Sequence, residues 1–328
     1  GVTLPYDTLD ELRAKLFEDH PTFGRIDYVP ETAGGPDLSK LGAKGDLGDV
    51  VLVDIIEGLP QGKALDLLEA APVMGHSRSV VGANGYDETT GSDVVVMTAG
   101  LARKPGMSRD DLQKMNAEIV EGAITEAHRR SPGAIFVMVT NPLDIMCEVA
   151  YRVVGGDPSR VFGMAGVLDS ARFRAFIALE LGVAMEDVQA MVLGGHGDTM
   201  VPLPRFSTVS GISIVHLLPA ERIEALAQRT RDGGAEIVGL LKTGSAYYAP
   251  AAATFQMVEA VVRDKKRILP VAARLSGQYG IDGQYLGVPA KLGAGGIEEI
   301  IELPLTDGEL AELRRSAEHV RAGVEALG

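Results

Sequence analysis

A single histidine lies in a glycine-rich loop that directly follows an apolar run. The loop spans residues 194–202, the apolar run spans residues 188–193, and His196 has a glycine on each side. The run predicts a buried strand, and the small neighbours let a substrate approach the imidazole closely. Because histidine titrates near neutral pH, His196 can accept or donate a proton under cellular conditions.

An acid and an arginine upstream have a spacing that suits this histidine. Asp169 and Arg172 belong to the segment 168–172, Leu-Asp-Ser-Ala-Arg, and a separation of three residues places them on one helical face. An aspartate can orient an imidazole and stabilise its positive charge, and an arginine can bind a carboxylate through two parallel hydrogen bonds. A lone histidine is more often a satisfied surface or core residue, but this pair and the flanking glycines favour a catalytic role.

Two further arginines, Arg103 and Arg109, lie six residues apart in a loop that contains glycine and proline. The loop follows the predicted strand 93–98, at a strand end where open α/β sheets bind their ligands. Such a loop can close over a bound anion and exclude water. A solvated basic turn is the alternative, and the position after a strand argues against it.

Polar side chains end two other apolar runs. Asp54 ends the run that begins at residue 50, and an acid there accepts hydrogen bonds from an adenosine ribose and repels a 2′-phosphate, which favours NAD over NADP. Asn141 follows the run 134–139 and offers a donor and an acceptor to a nicotinamide or a substrate hydroxyl. Pro142 restricts the backbone of Asn141 and allows a cis peptide bond. A strand-end cap and a simple turn are the alternatives at Asp54 and Asn141.

These residues are positioned by alternating strands and helices. Between residues 50 and 140, continuous apolar strands are separated by helices, which predicts a parallel sheet that is covered on both faces. We therefore expect the α/β class, with a doubly wound, Rossmann-type parallel sheet. After Asn141 the pattern changes to that of an α+β catalytic domain, strand-rich over 185–214, with short strands over 291–303 and a closing charged helix.

The same pattern predicts the organisation of the chain. Residues 287–289 and 293–296 are interpreted as turns of the later domain. We expect three parts, namely an atypical N-terminal appendage over 1–24, a dinucleotide-binding domain over 25–165 and a substrate-binding catalytic domain over 166–328.

Composition limits the partners of the chain. Its 328 residues suffice for two domains, and 31 basic against 45 acidic residues give a net charge of −14. This charge argues against nucleic acid or an anionic membrane surface as the main partner. Cys147 is the single cysteine, so no disulfide within the chain is possible, and a reducing cytoplasm is expected. No apolar run is long enough to predict a membrane span, and no signal peptide is visible. The histidines show no metal-ligand spacing, so no metal is expected.

Four motifs together resemble a known family. They are the segments at 98–106, 139–142, 168–172 and 194–202, and the resemblance extends over about residues 46–328. The chain resembles the NAD-dependent malate dehydrogenases of the lactate/malate dehydrogenase superfamily, in the branch closest to lactate dehydrogenase. Lactate dehydrogenases usually carry Gln where this chain has Arg103. A second guanidinium suits a dicarboxylic substrate, since a neutral amide would leave the far carboxylate unpaired.

The resemblance implies a role for each candidate residue. His196 accepts a proton when malate is oxidised, and Asp169 holds and stabilises the imidazole. The carboxylate next to the reacting carbon binds Arg172, and the distal carboxylate binds Arg103. Arg109 polarises the carbonyl when its loop closes.

The resemblance also implies a cofactor, a set of cofactor contacts and an assembly. Asn141 contacts both substrate and nicotinamide, and Asp54 contacts the ribose of NAD. Asn116, Val139 and Thr140 line the cofactor. Relatives form homodimers or homotetramers, and a helix over 172–181 that is apolar on more than one face suits a subunit interface.

One family feature is missing from the sequence. The Gly-x-Gly-x-x-Gly fingerprint that cradles a pyrophosphate would fall on residues 29–35, where only Gly34 matches in register and Glu31 adds a negative charge. Residues 26–29 are a stand-in for the first strand. Two alternatives therefore stay open: an inactive or cofactor-deficient family member, as a scaffold or fusion product, or another 2-hydroxy-acid dehydrogenase such as lactate dehydrogenase.

Overall fold

The computed structural model describes residues 25–29, 47–101, 109–242 and 245–327, with the backbone alone for 25–29 and 109–110. The predicted appendage, the candidate residues Gly34 and Arg103, and Glu31 lie outside the described residues. Among the described residues, no helix is both long enough and apolar enough to cross a membrane.

Six parallel strands form the N-terminal half of the molecule. Their order across the sheet is β3-β2-β1-β4-β5-β6, the order of a doubly wound Rossmann-type sheet, so this fold prediction is confirmed. In the described part of the chain, α-helices connect the second strand to the third, the fourth to the fifth and the fifth to the sixth. The bounds are β1 Arg25–Val29, β2 Asp49–Val53, α1 Leu59–Met74, β3 Val80–Ala83, β4 Val94–Met97, α2 Arg109–Arg130, β5 Ile135–Met138, α3 Leu143–Val153 and β6 Val161–Gly163.

The apolar runs form buried strands because both faces of the sheet are covered. Every residue of β4 is buried, and alternate residues enter different hydrophobic clusters. Val94 and Val96 belong to one cluster, whereas Val95 and Met97 belong to the other. A strand that is buried on both faces needs an apolar residue at every position, which explains the unbroken runs in the sequence.

The first strand of the sheet is present despite the missing glycine fingerprint. Strand β1 lies between β2 and β4 and is parallel to both, with Tyr28 paired to Leu52 on one side and to Val96 on the other. The prediction of a stand-in strand over 26–29 is confirmed, and the centre of the sheet is closed.

The C-terminal half extends this sheet with an antiparallel unit. Strand β12 adjoins β6, and β13 and β14 follow, so that nine strands form one sheet. Residues 287–289 lie inside β13, and their interpretation as a turn is wrong, whereas 293–296 do form the turn before β14. Gly287 is needed for close packing, since a Cβ there would lie 2.4 Å from the carbonyl oxygen of Gly194. The bounds are β12 Arg267–Ser276, β13 Asp282–Gly293 and β14 Gly296–Ile300.

Helices and short strands complete this half. Strands β8 and β9 form a hairpin around the loop that contains His196, and β7, β10 and β11 form a separate small sheet, as expected for a strand-rich region. Helix α7 begins with a capping box between Thr306 and Glu309. The bounds are α4 Gly166–Leu181, β7 Val188–Gln189, β8 Val192–Leu193, β9 Val201–Pro202, β10 Thr208–Val209, β11 Ile212–Ser213, α5 Ala220–Leu241, α6 Tyr248–Val262 and α7 Asp307–Glu325.

Candidate active site

The histidine and the acid singled out by the sequence form a hydrogen-bonded pair. His196 lies in the hairpin loop between β8 and β9, and Asp169 lies in the first turn of α4. The distance between His196 Nδ1 and Asp169 Oδ2 is 2.9 Å, with the histidine side chain 15% exposed and the aspartate 2% exposed. A carboxylate at Nδ1 keeps a proton on that nitrogen, which leaves Nε2 available for proton exchange.

Opposing influences act on the pKa of His196. Burial lowers the pKa, since a charged ring is costly away from water. The charge and hydrogen bond of Asp169 outweigh this effect, with a smaller contribution from Asp144, although the nearby Arg172 opposes it. The pKa of His196 therefore lies above its ordinary value, which favours the protonated ring.

Arg172 lies beside this pair on the same face of α4. Its Nη1 donates to Asp169 Oδ1 over 3.1 Å, and its side chain is 12% exposed. The Nε of Arg172 is buried and has no partner among the described residues. Gly233 on α5 makes room for the guanidinium, because a Cβ there would lie 3.1 Å from Arg172 Cδ. The remaining donors suit a substrate carboxylate.

Contacts from distant parts of the chain hold the loop around His196. The N–H of Gly195 donates to Ser316 Oγ on α7 over 2.8 Å. Gly194 and Gly287 exchange two backbone hydrogen bonds of 2.9 and 3.0 Å, which attach the loop to β13. The loop is therefore fixed to the sheet and to the last helix before any ligand binds.

One acid at this centre is missed by the sequence analysis. Asp144, in the first turn of α3, is 5% exposed, and its Oδ2 accepts the main-chain N–H of His196 over 2.9 Å. Burial raises the pKa of Asp144 to about 6, partly offset by the hydrogen bond and charge of His196. Its signal in the sequence is a carboxylate between Leu143 and Ile145, in a run that is otherwise apolar.

The predicted nicotinamide contacts meet at the ends of β4 and β5. The Asn141–Pro142 peptide is cis, as the sequence allows. Asn116 joins the two strand ends, since its Nδ2 donates to the carbonyl of Asn141 over 2.8 Å and its Oδ1 accepts from the N–H of Leu101 over 2.7 Å. Thr140 Oγ1 donates to the carbonyl of Ala99 over 2.8 Å. The side chains of Asn116 and Thr140 thus shape this edge through backbone contacts.

Asp54 presents an unpaired acceptor at the end of β2. Its carboxylate is 2% exposed, and Oδ1 accepts the N–H of Ile56 over 2.8 Å. Its Oδ2 is buried without a partner among the described residues. An orphaned buried carboxylate oxygen is costly, so this atom fits the hydroxyl donor of a ribose.

Comparisons with known proteins identify the family. Residues 33–163 match the NAD-binding domain of lactate/malate dehydrogenases, and residues 166–327 match the α/β C-terminal domain of the same family. The chain belongs to the lactate/malate dehydrogenase family. The predicted membership is confirmed.

Similar relatives and structures carry both names of the family. The malate dehydrogenase of Thermomicrobium roseum is 58% identical over 303 residues, which are 92% of this chain and 98% of the relative. The structure of malate dehydrogenase from Salinibacter ruber is 48% identical, with a TM-score of 0.88 over 92% of this chain and 97% of that one. A Cryptosporidium parvum lactate dehydrogenase in complex with lactic acid and NAD is 40% identical, with a TM-score of 0.89 over 93% and 98% of the two chains.

The family's fold thus brings some of the predicted site residues together, whereas others lie outside the described part. His196, Asp169 and Arg172 form one cluster, while Asn116 contacts the Asn141 turn. Val139 follows β5 at that turn, and Asp54 lies at the end of β2. Arg109 is described as the first backbone position of α2. Their roles toward ligands remain predictions.

Proposed function

We propose that this family member is an NAD-dependent malate dehydrogenase, which interconverts (S)-malate and oxaloacetate with NAD and NADH. The observation that carries the proposal is the cluster of His196, Asp169 and Arg172, in which a proton acceptor, its charge partner and a carboxylate-binding group lie together. The match to malate dehydrogenases at 58% identity supports the choice of substrate. NAD, when bound, supplies the hydride acceptor for C2 of malate.

The chain's own residues provide proton transfer and orientation. Nε2 of His196 accepts the hydroxyl proton of malate, while Asp169 at Nδ1 stabilises the imidazolium that forms. Arg172 holds the carboxylate next to C2 and so fixes the hydroxyl relative to the imidazole. In the reverse direction, the raised pKa of His196 favours the protonated ring, which donates its proton to the carbonyl of oxaloacetate.

The arginines of the loop after β4 define the substrate class in this proposal. Arg103 pairs with the distal carboxylate, and Arg109 polarises the carbonyl. Asn141 contacts the substrate and the nicotinamide, with Val139, Thr140 and Asn116 along the cofactor. A lactate dehydrogenase is the second candidate, because structures of that name are 40% identical to this chain. Arg103 argues against it, since pyruvate leaves this positive charge without a partner.

The remaining proposals concern organisation and cellular role. We place the domain boundary between residues 165 and 166, which is supported by the limits of the two family matches and by the change from parallel to antiparallel pairing. A homodimer or homotetramer is supported by Leu179 on α4, which is 65% exposed. The acidic charge supports an enzyme without nucleic-acid or membrane partners, and the single cysteine, Cys147, supports a cytoplasmic one. The proposed substrates, malate and oxaloacetate, support a place in the tricarboxylic acid cycle.

A direct assay tests this function. The purified protein should quench or shift NADH fluorescence on binding and should consume NADH when oxaloacetate is added. Pyruvate should be a much poorer substrate, and Arg103→Gln should move the preference toward pyruvate. Absence of NADH binding at millimolar cofactor would favour the cofactor-deficient alternative. Rapid reduction of pyruvate but not oxaloacetate would show that the substrate is wrong.

A further inference from the structure

The first turn of α3 carries a second carboxylate that faces the catalytic loop. Asp144 Oδ2 accepts the main-chain N–H of His196 over 2.9 Å, although the two residues are 52 positions apart in the chain. Asp144 is 5% exposed, and its other oxygen is buried without a partner among the described residues. The residues on both sides of it, Leu143 and Ile145, are buried and apolar.

The setting makes a purely structural role for this carboxylate costly. Taking an ionised carboxylate out of water is unfavourable unless its oxygens are paired, and only one of the two oxygens has a partner in the part of the chain that the structure describes. Burial raises the pKa of Asp144 to about 6. The shift reflects the same cost, because a carboxylate that is poorly solvated binds a proton more tightly. A neutral asparagine at this position could accept the same N–H of His196 without placing a charge away from water.

We infer that Asp144 is a positioning residue for the dehydrogenase reaction: it fixes the main chain of His196, and its negative charge favours the protonated imidazole. This inference rests on the proposed function. Asp169 controls the ring of His196, whereas Asp144 controls the backbone from which that ring projects. Asp144 acts through His196 and is not placed in contact with substrate.

The position of Asp144 also links two parts of the site. It follows the Asn141–Pro142 turn by two residues, on a helix whose first turn is buried. The turn that is predicted to contact substrate and nicotinamide is therefore joined through one rigid turn of helix to the backbone of the proton acceptor. Such a link holds the two groups at a fixed separation, which hydride and proton transfer both require.

The charged neighbours of this pair come from two helices. His196 is influenced by Asp169 and Arg172 on α4 and by Asp144 on α3. Asp144 is influenced by His196 and Asp169, and it acts in turn on Cys147, one helical turn further along α3. The other elements that anchor the loop do so through neutral groups, namely the hydroxyl of Ser316 on α7 and the backbone of Gly287 on β13.

Two variants separate the charge of Asp144 from its hydrogen bond. Asp144→Asn keeps the size and one acceptor oxygen but removes the charge, whereas Asp144→Ala removes both. Glu148→Gln is the matched control, because Glu148 is also a buried acid on α3 but is paired with Arg152 and Arg274, away from the loop. Circular dichroism and thermal denaturation verify that each variant is folded.

The first readout needs neither substrate nor cofactor. The imidazole of His196 is titrated by NMR in the ligand-free protein, with its signals assigned by comparison with His196→Asn. Asp144→Asn should move the titration midpoint of His196 to lower pH, because a negative charge that favours the imidazolium is removed. Glu148→Gln should leave that midpoint at its wild-type value.

The second readout is catalysis. The pH profile of oxaloacetate reduction should shift to lower pH in Asp144→Asn, and kcat should fall about 10- to 100-fold in Asp144→Ala, as for a lost hydrogen bond to a charged group. KM for NADH should stay unchanged. A wild-type imidazole midpoint and pH profile in Asp144→Asn would overturn the inference, even if Asp144→Ala does not fold. If the wild-type protein does not reduce oxaloacetate, the proposed function fails, and the ligand-free titration still decides whether Asp144 acts on His196.

Discussion

The two polar centres of the molecule are held in different ways. The His196 loop is held by Asp169, Asp144 and Ser316, whose hydrogen bonds join residues 27, 52 and 121 positions apart in the chain. Among the described residues, the side chain of Asp54 accepts one hydrogen bond, from the N–H of Ile56 two positions away, while its main chain is bonded to Ala83 and Asn84 at the end of the neighbouring strand β3. The side chains of the first centre come from three helices and a loop that are far apart in the chain, whereas the second centre is built at the ends of two adjacent strands, with its side chain bonded only within its own turn.

This difference matches the role that the proposed function gives to each centre. Proton transfer requires the reacting atoms to be held within a fraction of an ångström, so the imidazole benefits from contacts with several distant elements. A ribose contact contributes binding energy and tolerates small displacements. Substitutions around His196 should therefore reduce kcat, and substitutions at Asp54 should weaken cofactor binding.

The largest effect is expected from His196→Asn. The variant loses the proton acceptor while the loop remains anchored through its backbone, so kcat for oxaloacetate reduction should fall about 10³- to 10⁴-fold. NADH affinity, measured by fluorescence titration, should stay at the wild-type value. His216→Asn is the control, because His216 is exposed and its substitution should leave kcat unchanged. Substantial activity in His196→Asn would show that another group transfers the proton.

A smaller loss is expected from Asp169→Asn, together with a change in pH dependence. The variant should lose about 10²- to 10³-fold in kcat/KM, as for an imidazole without its charge partner. Removing the charge lowers the pKa of His196, so oxaloacetate reduction should decline at a lower pH than in the wild type.

The pH–rate profile of Asp169→Asn checks this sign. The exposed acid Glu186 provides a comparison, and Glu186→Gln should reproduce the wild-type profile. An unchanged profile in Asp169→Asn would mean that Asp169 does not control the charge of the ring.

Asp54→Ala should affect the other centre alone. The Kd for NADH should rise about 10- to 100-fold, as for the loss of a hydrogen bond to a charged group, with kcat at saturating NADH near the wild-type value. Asp49 lies at the opposite end of β2, where its Oδ1 accepts from the N–H of Ser79, and Asp49→Ala should leave the Kd unchanged. A loss of kcat in Asp54→Ala without a change in Kd would contradict the assignment of Asp54 to the ribose.

The smallest effect is expected from Ser316→Ala. The N–H of Gly195 loses its acceptor, which should lower the free energy of unfolding by about 1–3 kcal/mol and reduce kcat about 3- to 10-fold as the loop loosens. Denaturant unfolding and steady-state kinetics measure the two changes. Glu318→Ala on the exposed face of the same helix should change neither. A normal kcat in a clearly destabilised Ser316→Ala variant would show that this anchor serves stability alone.

The sequence predicted the parallel half of the fold better than the antiparallel half. The runs over 94–97 and 134–139 are apolar throughout, since β4 and β5 are buried on both faces. Strands β12 and β13 were not predicted as a pair, because Pro270, Gly287 and Pro289 indicate turns when each segment is considered locally. In the structure Pro270 and Pro289 are paired with each other across the two strands. Both residues lack a backbone N–H, so the hydrogen bonds between the strands are interrupted at one position only.

The candidate site shows the same contrast between local and distant contacts. Asp169 and Arg172 share a helical face, and Asp54 and Asn141 follow strands, so each has a local signal that the sequence displays. Asp144 and Ser316 contact the loop across sequence separations of 52 and 121 residues. Residue spacing along the chain does not predict contacts over such separations.

The nine-stranded sheet has a mechanical consequence. Strand β12 of the C-terminal half pairs with β6 of the N-terminal half at Ala272 and Gly163. One continuous hydrogen-bonded sheet therefore extends through both halves. A hinge motion that separates the two halves would break the pairing between β12 and β6. For the proposed function, we therefore expect substrate to enter and leave through rearrangements at the edge of the sheet, with the strands next to the His196 loop kept in place.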